Sequence, residues 1–193
     1  MVLQKQVLPS QESLMIVKNN QPEVQTDANG KPTTVTPNNI ARFMRGELTW
    51  AQVQGLSMQQ VYSIAEIGYK LFMQGKYNDA RTIFEGLIVL NPYDGYFYSV
   101  LGSIFAKQGK NEEALQNYTA AVHLSPFDIP SLINKAELLL KLGKFEEAFA
   151  DLKKAIEVGE QNSNPAVIRA KALASATHNL ISEILKSKSG QAG

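Results

Sequence analysis

Between Val61 and Glu160 the apolar residues recur at i, i+3, i+4 and i+7, the spacing of helices that bury one face. The pattern also copies itself along the chain. Gly75-Lys76, Gly109-Lys110 and Gly143-Lys144 stand at equal intervals of 34 residues. In that register Ala80, Ala114 and Ala148 align, followed by Phe84, Tyr118 and Leu152, then by Leu87, Ala121 and Ala155. Earlier in each unit Gly68, Gly102 and Ala136 align, as do Leu71, Phe105 and Leu139. Each unit predicts two helices, A and B. The small residues let A and B approach closely. The Gly-Lys turn ends helix A through a left-handed cap that glycine adopts cheaply. Pro92 and Pro126 break helix B, and the third unit carries Glu160 there. One such pair cannot bury its apolar face alone, so neighbouring pairs must stack. The units fall at 61–94, 95–128 and 129–162. A further helix is expected at 165–187, with Pro165 in its first turn. Its apolar stripe would be Val167, Ile168, Leu173, Leu180, Ile181, Ile184 and Leu185, closing the open end of the stack.

This period, with this order of small and large residues, is the signature of a tetratricopeptide repeat. The expected architecture is an all-α solenoid of three repeats, with N-terminal leader helices and a C-terminal capping helix, over residues 40–188. Stacked repeats of this kind present a concave groove lined by positions 2, 5, 9 and 12 of the A helices. Those positions are Tyr62, Ala65, Tyr69 and Phe72, then Tyr96, Ser99, Ser103 and Ala106, then Pro130, Ile133, Glu137 and Leu140. The lining is aromatic at one end and small in the middle, which suits an extended peptide with a few apolar anchors. Tyr98 and Tyr118 stand at signature positions and are expected in the core. His123, near the end of a B helix, is expected at the surface.

The segment before the repeats follows a different pattern. Residues 19–39 are polar and carry Pro22, Pro32 and Pro37, so they read as a flexible linker. With residues 1–18, read as a tail, they form an N-terminal extension over 1–39. Residues 38–54 predict two short helices, Ile40–Arg45 and Thr49–Gln54, the second capped by Thr49. The single tryptophan, Trp50, lies here with Phe43, Met44, Val53 and Leu56. Such an apolar segment must cover either the first repeat or a second protomer.

The run Phe43-Met-Arg-Gly46-Glu-Leu-Thr49-Trp-Ala51-Gln-Val53-Gln-Gly-Leu56-Ser57, followed by Val61, Ile64 and Ile67, resembles the leader of a known group. It is similar to the class II chaperones of bacterial type III secretion, the SycD/LcrH/IpgC group. The likeness continues through Tyr93-Asp94, outside the general repeat signature, and spans about residues 40–185. What it implies is a chaperone of two hydrophobic, pore-forming translocator proteins. A short extended client segment of the Pro-x-Leu-x-x-Pro kind would lie in the groove, against positions matching Ala65, Tyr69 and Phe72. Ala65 departs from the tyrosine common in the group. Some members dimerise through the leader, which would place Phe43, Met44, Trp50 and Val53 at an interface.

Composition narrows the alternatives. The 193 residues are 44% apolar and 19% charged, with a formal net charge of +1. That is ordinary for a globular chain and provides no overall field for nucleic acid or anionic lipid. Residues 61–160 hold 10 basic and 13 acidic side chains, a net −3, whereas residues 161–193 hold four basic and one acidic, a net +3. The absence of cysteine removes disulfides, iron–sulfur clusters and thiolate zinc sites, and the two histidines, His123 and His178, lack nearby metal-ligand partners. No cofactor or metal is expected. No apolar stretch reaches the roughly 18–20 residues of a membrane span, and Gln11 and Glu12 interrupt the apolar start before it resembles a signal peptide. The expected location is cytoplasmic. No phosphate loop, nucleophile elbow or H-E-x-x-H occurs, so an enzyme is not expected. The alternative reading is a general repeat scaffold or an adaptor for a regulator. A clamp for C-terminal carboxylates would need Lys and Asn where Ala65 and Tyr69 stand.

Overall fold

The computed structural model describes residues 20–161 and 165–190; the tail reading of residues 1–18 lies outside them. A two-strand hairpin, β1 (Gln25–Thr26) and β2 (Pro32–Thr33), precedes two leader helices, α1 (Pro37–Met44) and α2 (Trp50–Val53). Three antiparallel helix pairs follow: α3 (Met58–Met73) with α4 (Tyr77–Leu90), α5 (Gly95–Lys107) with α6 (Asn111–Leu124), and α7 (Ile129–Lys141) with α8 (Phe145–Gln161). The long α9 (Ala166–Gly190) packs along α8.

Each A helix ends in the same way. Gly75, Gly109 and Gly143 take φ of 76°, 75° and 74°. The next lysine then donates back to the last turn: Lys76 N–H to Leu71 O at 3.0 Å, Lys110 to Phe105 at 3.0 Å, and Lys144 to Leu139 at 2.9 Å. This is the left-handed cap that the Gly-Lys repeats predict. The starts of α5 and α7 also match one another, with Asp94 accepting from Tyr96 N–H and Asp128 from Ser131 N–H.

Close approach within the pairs rests on the small residues of helix A. A Cβ on Gly68 would stand 2.8 Å from Ile83 Cγ2 and 2.9 Å from the Phe84 ring. One on Gly102 would stand 2.8 Å from the Tyr118 ring. Buried Phe84, Leu87, Phe97, Ile104 and Tyr118 make one core across α3–α6, which Ala51 of the leader also joins. Leu132, Ile133, Leu139 and Leu152 make a second core with Ala170 and Ala174 of α9. Leu115 touches both, so the pairs form one continuous stack.

The leader differs from the sequence reading in three respects. First, α1 begins at Pro37 rather than Ile40, because Thr36 caps it by accepting from Asn39 N–H at 3.1 Å and Pro37 suits the first turn. Second, residues 20–36, expected as a flexible linker, fold back as the hairpin. Fully buried Asn39 holds them: its Nδ2 donates to Glu23 O at 2.7 Å and Thr34 O at 2.9 Å, and its Oδ1 accepts from Glu23 N–H at 3.0 Å. Asn20 Nδ2 donates to Glu47 O at 3.0 Å, Gln52 Nε2 to Asn20 O at 2.7 Å, and Thr34 Oγ1 to Val53 O at 2.9 Å. Polar composition signals missing apolar burial, but it carries no sign of backbone hydrogen bonds supplied from elsewhere. Third, the leader covers the first repeat, and in doing so it buries Val53 completely. Val53 is therefore core, not part of an outward-facing interface.

The last helix is also rotated from its expected stripe. Val167, Ala170, Ala174 and Thr177 are buried, whereas Ile168 is 76% and Leu185 62% exposed. The face against the stack is thus made of alanines and β-branched residues, with Ile168 and Leu185 turned away from it.

Candidate functional site

The A helices α3, α5 and α7 line up side by side and present the groove. On α3, Tyr62, Ala65, Tyr69 and Phe72 fall at i, i+3, i+7 and i+10, one face of the helix. Tyr62, Ala65, Tyr69 and Tyr96, with Glu66, enclose a shallow cavity of about 320 Å³. Its floor is Ala65, at 1% exposure, and its walls are three tyrosines exposed by 41–45%. The walls are braced from behind. The Tyr62 ring centroid lies 5.9 Å from Phe97, and Tyr96 lies 6.0 Å from Phe97 and 6.2 Å from Phe84. Along the groove Tyr69 meets Phe72 at 5.9 Å, and Phe72 meets Tyr77 at 5.9 Å.

The polar tip of Tyr62 is fixed too. Tyr62 OH donates to Asp94 Oδ2 at 2.5 Å, while Asp94 Oδ1 accepts from Tyr96 N–H at 3.0 Å. Burial, reinforced by the Asp94 carboxylate, holds the Tyr62 phenol well above its ordinary range. Burial also raises Tyr96, with further contributions from Tyr69 and Asp94. These phenols therefore remain neutral, with apolar ring faces and hydrogen-bonding tips, throughout the physiological range.

The middle of the groove is narrow and polar. Ser131 Oγ donates to Ser99 Oγ at 2.8 Å, and Ser103 lies 3.0 Å from both the Ser99 carbonyl and the Tyr118 hydroxyl. Tyr98 and Tyr118 are buried as the signature requires, and burial pushes the Tyr98 phenol up to about 12. Beyond the serines a second cavity, about 350 Å³, opens between α3, α5, α6, α7 and α9. Phe72, Ser103, Ala106 and Glu137 line it, joined by Lys107, Lys141 and Arg169. Glu137 forms an ion pair with Arg169 of the last helix.

Two expected lining residues take other places. Ile133 is 2% exposed and belongs to the second core. Leu140 is half-buried against that same core. Position 5 of a repeat is the floor of the groove, so a large side chain there turns inward, while Ala65 leaves room for a guest. The repeat positions do not point to Asp94, Lys107, Lys141 or Arg169 as site residues. Asp94 has a readable sign, an acidic residue at a helix start; Arg169 has none, because only the packing of α9 brings it to the groove.

On the leader, Phe43 and Trp50 pair at 5.3 Å between centroids, both half-buried, and Met44 is 77% exposed. Among the described residues, no group of three His, Cys, Asp or Glu is placed to hold a metal ion, and no helix is long and apolar enough to cross a membrane.

Family models of the tetratricopeptide repeat match residues 66–129 and 129–162, together half of the chain. With three such helix pairs and their concave groove, the chain belongs to the tetratricopeptide-repeat proteins. Within that class it is similar to the group its leader resembles. It is 36% identical to the low calcium response locus protein H of Yersinia pestis over 64 residues, 32% of this chain and 36% of that protein. The chain thus matches about a third of the length of these curated relatives. The type III secretion translocator chaperone SycD of Yersinia enterocolitica superposes with a TM-score of 0.62 at 25% identity, over 66% of this chain and 97% of SycD. PcrH of Pseudomonas aeruginosa superposes with a TM-score of 0.60 at 28% identity, over 66% of this chain and 98% of PcrH. PcrH is also solved in complex with the chaperone binding region of PopD, with a TM-score of 0.55, 26% identity, and 69% and 97% of the two chains covered.

Proposed function

We propose that this chain is a type III secretion chaperone that keeps translocator proteins soluble and secretion-competent in the bacterial cytoplasm. The observation that carries this reading is the cavity of Tyr62, Ala65, Tyr69 and Tyr96, apolar in its walls and preformed. It lies in a fold shared with PcrH, whose complex contains the chaperone binding region of PopD. The work is capture, not catalysis. An extended client segment of the Pro-x-Leu-x-x-Pro kind places an aliphatic side chain between the tyrosines, and its backbone meets their hydroxyls and the serines of α5. Shielding of apolar client surface then prevents aggregation. Nothing in this needs a nucleotide, metal or catalytic group.

The experiment is co-expression with a translocator protein of the same organism, one that carries long apolar segments. The client is expected to move from the insoluble fraction into a soluble complex with this chain. A client that stays insoluble at equal expression, with no complex on size exclusion, overturns the reading.

The leader surface of Phe43, Met44 and Trp50 supports self-association as part of the same function. Met44→Glu is expected to shift a dimer towards monomer, raising the dissociation constant at least tenfold in sedimentation equilibrium, with the helical spectrum retained. An unchanged constant assigns self-association to another surface.

A further inference from the structure

The far cavity differs in charge from the aromatic one. The aromatic cavity is bordered by one carboxylate, Glu66, which pairs with Lys70 at 2.7 Å. The far cavity is bordered by three cations, Lys107, Lys141 and Arg169, and by a single carboxylate, Glu137, which already pairs with Arg169. Lys107 and Lys141 occupy the same repeat position in successive A helices, so they stand on neighbouring helices at one end of the groove. In the first repeat the corresponding residue is Met73, which is apolar. The last turns of α5 and α7 stabilise these lysines through their partial negative charge, but a surplus of positive charge remains. Among the described residues Lys141 Nζ donates to the neutral Asn111 Oδ1, at 3.5 Å. Asn134, on the same wall, offers a further neutral side chain.

We infer that this cavity receives an acidic side chain of the bound client segment, and that the charge step along the groove sets which way the segment lies. The inference rests on the groove being the client site proposed above. Its register follows from the helix. Phe72, at the border of the far cavity, is seven residues beyond Ala65, about 10 Å at 1.5 Å per residue. An extended chain covers that span in about three residues. The acidic residue should therefore stand three or four positions from the aliphatic anchor. A carboxylate there lies between Lys107 and Lys141, and its attraction is strengthened by the partly enclosed wall of Phe72 and Tyr118.

Synthetic peptides test this by calorimetry on the full chain. The probes are Glu-Pro-Ser-Leu-Ser-Ala-Pro and Pro-Ser-Leu-Ser-Ala-Pro-Glu, both with blocked termini, each against its Gln counterpart. One Glu peptide is expected to bind about fivefold more tightly than its Gln partner at low salt, with the preference fading as salt is raised. In the Lys107→Gln/Lys141→Gln variant, the Glu and Gln peptides should bind alike. Equal binding of Glu and Gln peptides to the parent chain overturns the inference and leaves the groove reading standing. A Glu preference that survives the double variant also overturns it. Failure of all four peptides to bind overturns the groove reading and this inference together.

Discussion

Phe97→Ala is expected to lower the free energy of unfolding by about 3–5 kcal/mol, the range for deleting a fully buried phenylalanine. Phe97 is 0% exposed, and its ring stands against Phe84, Tyr62 and Tyr96. The vacated volume lies between three aromatic rings anchored on different helices, so the site cannot collapse cheaply. For a domain of this size the loss corresponds to a fall in melting temperature of roughly 10 °C. Thermal unfolding followed by circular dichroism measures it, and a fall below about 3 °C would contradict the packing described. Phe97 also braces two walls of the aromatic cavity, so the variant should lose client affinity even well below its melting point. Phe97→Leu, which keeps most of the volume, is expected to cost less than about 1.5 kcal/mol.

The second large effect concerns binding. Tyr69→Ala combined with Tyr96→Ala removes two of the three aromatic walls. Anchoring aromatics at the centre of an interface are commonly worth 2 kcal/mol or more each. A combined loss of about 3 kcal/mol, roughly a hundredfold in dissociation constant, is expected for a Pro-x-Leu-x-x-Pro peptide. Calorimetry gives the affinity, and far-ultraviolet circular dichroism checks that the helices remain. The two tyrosines are 42% and 41% exposed, so the helical content should be unchanged. An affinity within threefold of the parent would remove the aromatic cavity from the client site. Phe72 is a poorer choice for this test. It is more buried than either tyrosine and packs against the first core, so its removal mixes binding with stability to a greater degree.

How far the groove was legible in the sequence depends on the position within the repeat. Positions 2 and 9 of the first repeat, Tyr62 and Tyr69, project from the helix face as the period implies, and both remain exposed. Position 5 holds Ala65, Ser99 and Ile133 in the three repeats. A helical period places all three on one face, but it does not say how deep that face lies. Ala65 and Ile133 are both buried, yet the first forms the floor of a cavity and the second packs into the second core. The difference is side-chain volume set against the distance to the facing helix, and only the packed structure supplies that distance. Val53 was misplaced for the same reason. An apolar residue near a tryptophan reads as part of a sticky surface until the docking of α2 encloses it.

By itself the sequence determined the repeat unit, the helix ends and the sites of close approach. Each of these is local: a glycine with positive φ, a threonine at a helix start, a small residue facing a ring. Local geometry depends on neighbours a few residues away, so spacing alone carries it. The tertiary structure decided what depends on distant partners. It folded residues 20–36 onto the leader through Asn39 and Gln52, and it brought Arg169 from the last helix to Glu137 in the groove. Those contacts join residues far apart in the chain through single polar groups. No periodicity marks them, because a hydrogen bond or ion pair needs only one donor and one acceptor that packing happens to bring within reach.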